Sequence, residues 1–372
     1  MRCWINVSSS ALLHNYQAIS KICSPSLFVP IIKSNAYGHG LKETYEILTK
    51  HSPQYIGVNY LEEAAQLRTF GFSGNILIVG PIPPSQLETA NEVSAEIFLA
   101  NHDVKNAWLN LKRKPKIHVK FDTGMSRQGF LTGEAGPVLE SLKSHKDYVV
   151  GICSHFANVE DCMEQDYALK QLKEFNEVVS AARSLGLSCK AHIAASASAL
   201  ILPQSRFDMV RVGISLYGLW PAQVTKLSYA QLAKEPVELK PALEWKTEVA
   251  SVKEVKAGQF IGYGCTYQAT TNMKIAVLPV GYAEGYPRIA GNGGSYVLIR
   301  SRRCLLVGRI CMNMMMVDVS HLANVKPGDV VTLIGSDGDE HLSANRLADW
   351  AQTINYELLA RLPSNIPRKL AP

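Results

Sequence analysis

The sequence predicts an α/β protein, an N-terminal (β/α)8 TIM barrel followed by a mostly β C-terminal domain. Three observations carry that expectation. The chain has 372 residues, about two to three times a usual single domain. Up to residue 215, roughly eight short apolar runs alternate with segments of helical period, the pattern a parallel barrel of that size requires. After about residue 232 the helical period vanishes and strand-like segments recur between glycine- and proline-rich turn signals. A doubly wound open sheet is the alternative for the first part.

The early run Cys3–Val7 has no place among the eight and is assigned to the second domain. Ser10–Ile22 then places Leu12, Leu13, Tyr16 and Ile19 on one helical face. The barrel strands are expected at Leu27–Lys33, Tyr55–Asn59, Asn75–Val79, Ala95–Leu99, Lys116–Phe121, Tyr148–Cys153, Cys189–Ala194 and Asp208–Val212. Among the helices between them, Glu164–Leu185 aligns Tyr167, Leu172, Phe175, Val178 and Val179. The barrel is therefore expected over 8–232 and the β domain over 233–372, with strand 2–7 joining the latter. That domain's strands begin with one long run, Leu243–Val255. Near its end a single helix starts at Ser343, a good N-cap, and carries Leu347, Trp350, Ala351 and Ile354 on its apolar side.

Composition excludes several classes. Apolar residues at 47% supply a core, which disorder would lack. The charge balance, 38 − 32 = +6, suits small anionic molecules but is thin for nucleic acid. No run approaches a membrane span, and the start lacks the apolar stretch of a signal peptide. Eight scattered cysteines without a C-x-x-C pair suit buried thiols in a reducing, cytoplasmic compartment, and predict neither a disulfide framework nor a metal site.

In a barrel, reactive groups belong at the C-terminal ends of the strands. Lys33 closes the first run, Arg127 and His155 follow the fifth and sixth, Ser196 follows the seventh, and Arg211 and Gly213 follow the eighth. A lysine at a strand end usually snorkels to solvent, but the apolar strand Phe28-Val29-Pro30-Ile31-Ile32 would desolvate Lys33 and lower its pKa, as Schiff-base chemistry requires. Ser196 and Gly213 lie where barrels commonly hold a phosphate. A Schiff-base lysine with a phosphate site points to pyridoxal 5'-phosphate.

The segment Ile32-Lys33-Ser34-Asn35-Ala36-Tyr37-Gly38-His39-Gly40 resembles the cofactor-lysine motif of the alanine racemases. Further signatures follow in family order: Lys120-Phe121-Asp122-Thr123-Gly124-Met125-Ser126-Arg127, Ser154-His155-Phe156-Ala157, Met209-Val210-Arg211-Val212-Gly213-Ile214, Gly262-Tyr263-Gly264, Gly281-Tyr282-Ala283-Glu284-Gly285-Tyr286, Gly308-Arg309-Ile310-Cys311-Met312 and Ile354-Asn355-Tyr356-Glu357. The resemblance implies an isomerase that interconverts L- and D-alanine by a two-base mechanism on pyridoxal phosphate and supplies D-alanine for peptidoglycan. It also implies a homodimer with shared active sites, in which alanine is the partner molecule and neither nucleic acid nor membrane is bound.

Residue by residue, it implies Lys33 as cofactor lysine and one base, and Tyr263, from the partner subunit, as the other. A phenol needs cationic neighbours to act as a base near neutrality, and His155 and Arg211 would supply that network, with Arg211 against the pyridine nitrogen. Tyr37, Ser196, Gly213, Ile214 and Tyr356 would hold the phosphate, and Tyr282 would stand at the entrance. Arg127 would bind the cofactor's phenolic oxygen and, with Met312 and Asn313, the substrate carboxylate. Lys120 matches a lysine often carbamylated in the family; pairing to Asp122 is the alternative. Two positions depart from the pattern: Asn313 where aspartate is common, and Ala195 where asparagine often precedes the phosphate serine. A decarboxylase of the same architecture, a barrel-only cofactor carrier and a cofactor-free sugar barrel are the rival readings.

Overall fold

The eight apolar runs form eight short parallel strands in the computed structural model, which describes residues 3–233, 235–291 and 293–372. They are Leu27–Pro30, Tyr55–Val58, Asn75–Ile78, Ala95–Leu99, Ile117–Asp122, Val149–Cys153, Lys190–His192 and Met209–Val212. The second to seventh pair in sequence order, and the eighth pairs with the first. Two seams complete the ring. Ile32 N–H donates to Gly57 O at 2.8 Å, and Asp208 and Arg211 N–H donate to Ala191 and Ala194 O at 3.1 and 3.0 Å. At the first seam a Cβ on Gly57 would lie 2.2 Å from Ile31 Cδ1, so glycine leaves room for the end of that side chain. Tyr55–Val58 and Ala95–Leu99 are buried at every position. Strands covered on both faces have no need of alternation, which is why they read as unbroken apolar runs.

Contacts divide the chain into this unit, Ser10–Ser34 with Thr44–Pro241, and a second unit. The second contains Asn35–Glu43, Ala242–Pro372 and the strand Cys3–Ser8. Its main sheet runs in the order Arg302–Leu305, Tyr296–Ile299, Val330–Asp337, Leu243–Glu248, Cys3–Ser8, Arg368–Ala371. Cys3–Ser8 and Leu243–Glu248 alternate buried and half-buried residues, as a sheet with one core face should. The expected single run Leu243–Val255 is instead two strands in different sheets, because it crosses between them at Val249-Ala250. Val249 N–H donates to Asp329 O at 2.9 Å, and the next amide, Ala250, donates to Val277 O at 2.8 Å.

Helix faces also differ in detail from the sequence pattern. In Ser9–Cys23, Leu12 and Ile19 are buried, Leu13 and Tyr16 half-buried, and Asn15 fully buried. In Asp166–Ser184, Tyr167 is exposed and its hydroxyl donates to Gly124 O at 2.6 Å. Ser343 does cap the helix Ala344–Trp350, accepting from Arg346 N–H at 3.1 Å. That helix does not reach Ile354, which is 60% exposed. Gln352 takes φ 54°, and Thr353 N–H donates to Ala348 O at 3.0 Å, a Schellman stop. A second helix, Asn355–Ala360, follows.

Asn15 ties the first helix to the end of the barrel unit. Its amide donates to Leu216 O at 3.1 Å and Lys240 O at 2.8 Å, and accepts from Lys240 N–H at 2.8 Å. Asn15→Ala strands these buried groups and should lower unfolding stability by about 3 kcal/mol, measured by urea denaturation. A loss below about 1 kcal/mol would mean the bonds are replaced by water.

Candidate active site

Lys33 leaves the first barrel strand and enters a left-handed turn. Ser34, Asn35, Ala36 and Tyr37 all have φ between 52° and 55°, a conformation that costs L-residues about 1–2 kcal/mol each. Side-chain bonds hold it. Glu63 Oε1 accepts from Ser34 N–H at 2.6 Å while Oε2 accepts from Asn59 N–H at 2.8 Å. Asn35 Oδ1 accepts from Leu41 N–H at 2.8 Å, and buried His39 Nδ1 sits 3.1 Å from the carbonyls of Ala36 and Tyr37. Burial lowers the Lys33 pKa, and the Arg127 guanidinium adds to the shift.

Asp122 organises the loop that follows the fifth strand. Its Oδ1 accepts from the N–H groups of Gly124, Met125 and Ser126 at 2.8, 2.8 and 3.1 Å, and Oδ2 accepts from Arg127 N–H at 3.1 Å. Burial alone would raise this carboxyl, but those bonds outweigh it and hold the pKa below the usual range. The carboxylate is thereby committed to backbone, so the alternative pairing of Lys120 with Asp122 is not formed. Lys120 is 4% exposed, its Nζ lies 5.3 Å from the Phe98 ring centroid, and it has no hydrogen bond or ion pair among the described residues. Burial, with Arg211 and Arg127 nearby, lowers it to about 8. Lys120, Arg127 and His155 line one narrow cleft. Gln171 braces it, donating to His155 O at 3.2 Å and accepting from Ala157 N–H at 2.9 Å.

Arg211 is 5% exposed. Its Nη2 donates to Ser154 O at 2.7 Å and Ile193 O at 3.1 Å, and its Nη1 donates to His192 O at 3.1 Å and to His192 Nδ1. His155 Nδ1 lies 3.4 Å from Nη2. Burial and Arg211 push the His155 pKa well down, so this histidine is a neutral imidazole and adds no positive charge to the site. Ser196 Oγ accepts from Gly213 N–H at 3.2 Å and Ser215 N–H at 3.5 Å. Beside it, the short helix Ser196–Ile201 and the turn Ile214–Tyr217 begin, where N–H groups lack intrahelical acceptors. Such a neutral donor cradle fits a phosphate. A desolvated lysine and unpaired cations fit an aldehyde cofactor that carries negative charge.

In the second unit Tyr37 and Tyr356 come together, with ring centroids 6.2 Å apart. Gly38 permits this packing: at φ 82° an added Cβ would lie 2.0 Å from Leu359 O. Tyr263 is 71% exposed, and its flanking glycines serve backbone conformation, Gly262 and Gly264 having φ 77° and 75°. Tyr282 N–H donates to Cys311 O at 3.2 Å and Ala283 N–H to Met312 O at 2.9 Å, so Tyr282 and Met312 are neighbours. The Asn313 amide donates to Glu284 Oε1 at 2.7 Å.

Two family models match the chain: the alanine racemase N-terminal domain over residues 7–221 and the alanine racemase C-terminal domain over 242–370. The chain belongs to the alanine racemase family. An alanine racemase of Leptospira interrogans is 38% identical over 369 residues, 98% of this chain and 95% of the relative. A solved alanine racemase from D-cycloserine-producing Streptomyces lavendulae superimposes with TM-score 0.90 at 28% identity, covering 100% of this chain and 97% of that one. The biosynthetic alanine racemase of Pseudomonas aeruginosa gives TM-score 0.86 at 32% identity, with both chains fully covered, 100% and 100%.

The alanine at 195 has no structural explanation: its N–H donates to Ser198 Oγ at 2.9 Å, a backbone bond independent of the side chain there. Asn313 offers Glu284 a donor, where an aspartate would set two carboxylates face to face. Glu63 and Gln171 also brace the site through backbone; both lie on helices, Leu61–Thr69 and Asp166–Ser184, where the sequence offers no signal that sets them apart from other polar helix residues.

The Lys120 shift sets a pH dependence. With a folded-state pKa of about 8 against 10.5 for the free side chain, the native state sheds this proton first, so stability should rise with pH between those values. Denaturation in carbon-dioxide-free buffer should show the rise, and Lys120→Met should flatten it. Bicarbonate, by converting the amine to a carbamate that likewise lacks the proton of the unfolded ammonium, should extend the rise to lower pH. A native slope equal to that of Lys120→Met would show that the amine keeps its proton in the fold across this range, and that burial does not depress it.

Proposed function

We propose that this chain interconverts L- and D-alanine with pyridoxal 5'-phosphate bound by Lys33, and that it supplies D-alanine for peptidoglycan. The observation that carries the reading is the cation set of the barrel unit. Lys120 and Arg127 have no ionic partner among the described residues, Arg211 is held by carbonyls and imidazoles, and the two nearby carboxylates, Asp122 and Glu63, are spent on backbone amides. Such a site is complementary to an anionic cofactor and a substrate carboxylate.

When bound, the cofactor supplies an electron sink that acidifies the α-carbon of the amino acid. The depressed Lys33 amine is suited to carry a proton to and from one face. We assign the opposite face to Tyr263 of a second subunit in a homodimer, a placement supported by the exposure of Tyr263 and of Met312, 71% and 57%. Arg127, with its backbone pinned by Asp122, is suited to orient the substrate carboxylate through charge-assisted bonds. Arg211 donates a hydrogen bond yet stays protonated, which limits charge withdrawal from the reacting carbon and so limits side reactions. We assign the phosphate to Ser196, Gly213, Ile214, Tyr37 and Tyr356; burial raises the Tyr37 hydroxyl to about 12, which keeps it a neutral donor. Lys120 as a carbamate would turn repulsion with Arg127 into attraction: its neutral amine adds to carbon dioxide, an N–C bond forms and one proton is released. A cytoplasmic setting is supported by the eight free cysteines and by the absence, among the described residues, of a helix long and apolar enough to cross a membrane.

The purified holoenzyme should racemise either alanine enantiomer, and borohydride reduction followed by peptide mapping should place the pyridoxyl label on Lys33. No racemisation, or a label on another lysine, sinks the assignment. Mixing inactive Lys33→Ala with inactive Tyr263→Phe chains under exchange should restore activity, because one site in each mixed dimer receives both intact groups. Verified heterodimers without recovery would place each site within one chain.

A further inference from the structure

Four polar side chains of the barrel interior, Tyr55, Glu96, His118 and His192, are at most 4% exposed and have no part in the reaction as assigned above. They form one continuous chain of hydrogen bonds that ends on Arg211. His192 Nε2 lies 2.7 Å from His118 Nδ1, His118 Nε2 lies 2.8 Å from Glu96 Oε2, and the Tyr55 hydroxyl donates to Glu96 Oε1 at 3.3 Å. At the other end Arg211 Nη1 meets His192 Nδ1. Only one proton arrangement satisfies every link. Arginine has no acceptor, so His192 Nδ1 must hold a lone pair and His192 must donate from Nε2. His118 Nδ1 then accepts, His118 donates from Nε2, and Glu96 receives a hydrogen bond on each oxygen as a carboxylate. The reverse direction would set an Nδ1–H of His192 against a guanidinium N–H.

We propose that Glu96, His118 and His192 form a one-way relay that orients the Arg211 guanidinium and compensates its charge, making them positioning residues for it. A permanent charge this deeply buried needs an anion or dipoles directed at it. No carboxylate lies within ion-pair distance of Arg211 among the described residues. Glu96 supplies the negative charge two imidazoles away, and each imidazole presents its lone pair toward the guanidinium. The sixth strand is shaped for this arrangement: a Cβ on Gly151 would lie 1.9 Å from His118 Nδ1, so glycine there clears the space the imidazole fills. Phe98 packs beside both imidazoles, with its ring centroid 6.3 Å from that of His118 and 6.2 Å from that of His192.

The catalytic part of this proposal rests on the assignment of Arg211 to the pyridine nitrogen; the hydrogen-bond direction does not. The direction is read from nitrogen-15 NMR of histidine-labelled holoenzyme, in which His118 and His192 should both be neutral with the proton on Nε2. A proton on Nδ1 of either ring overturns the relay. Its role is read from a double-mutant cycle. Glu96→Gln keeps the shape and removes the charge, and should lower kcat by about tenfold with little change in KM; the same change in an Arg211→Gln background should cost less than about twofold. Equal losses in both backgrounds, or a loss confined to KM, overturn the positioning role. If Glu96→Gln does not fold, Tyr55→Phe replaces it, with an expected loss of about threefold in kcat that again vanishes with Arg211→Gln. Arg211→Gln with wild-type kcat would overturn the catalytic part together with the Arg211 assignment, and would leave the NMR result standing as evidence for the hydrogen-bond chain alone.

Discussion

One buried positive charge organises the mouth of the barrel. Arg211 cannot release its proton, is 5% exposed, and meets carbonyl oxygens and imidazole nitrogens in place of a carboxylate. Burial is the first cause of the depressed Lys33, Lys120, His155 and His192, and the Arg211 charge adds to each of those shifts while it partly offsets the burial that raises Cys153. Lysines that lose their protons easily and histidines that stay neutral are therefore consequences of burial beside an uncancelled charge. A carboxylate in direct contact would have cancelled that field and removed its share of the shifts.

The barrel is legible in the sequence because its strands are buried on both faces and separated by helical segments, so each one stands out as an apolar run. Residues at strand ends, such as Lys33, Arg127 and Arg211, are legible for the same reason: position along the chain is position in the site. Contacts across the interior are not. His118 and His192 are 74 residues apart and touch because the fifth and seventh strands flank the sixth, whose Gly151 leaves room for the imidazole between them. The available signal is local: glutamate in Ala95-Glu96-Ile97 and histidine in Ile117-His118-Val119 are polar residues within strands otherwise buried. The second unit is less legible. Its half-wetted strands carry a weaker apolar signal, and the crossing at Val249-Ala250 is set by which sheet each amide faces, a matter on which apolar patterning is silent.

Backbone amides do much of the work usually credited to charge pairs. Asp122 reads in the sequence as an ion-pair partner of Lys120, yet its carboxylate, like that of Glu63, binds N–H groups of a loop or helix start. That choice stiffens the loop presenting Arg127 and the turn following Lys33 while leaving the cations unpaired. A site arranged in this way is rigid before any ligand arrives, and its excess positive charge remains available to attract one.

The left-handed turn after Lys33 also restricts which sequences can occupy it. Glycine, asparagine and aspartate tolerate φ near 55°, whereas valine, isoleucine and threonine are excluded by their branched Cβ. Drift at positions 34–37 is thus confined to a narrow set of residues by the handedness of the chain, whether or not a side chain takes part in chemistry. Invariance at Ser34, Asn35 or Ala36 among relatives, wherever it occurs, is accordingly a record of backbone geometry first, and a side-chain role at these positions has to be demonstrated separately.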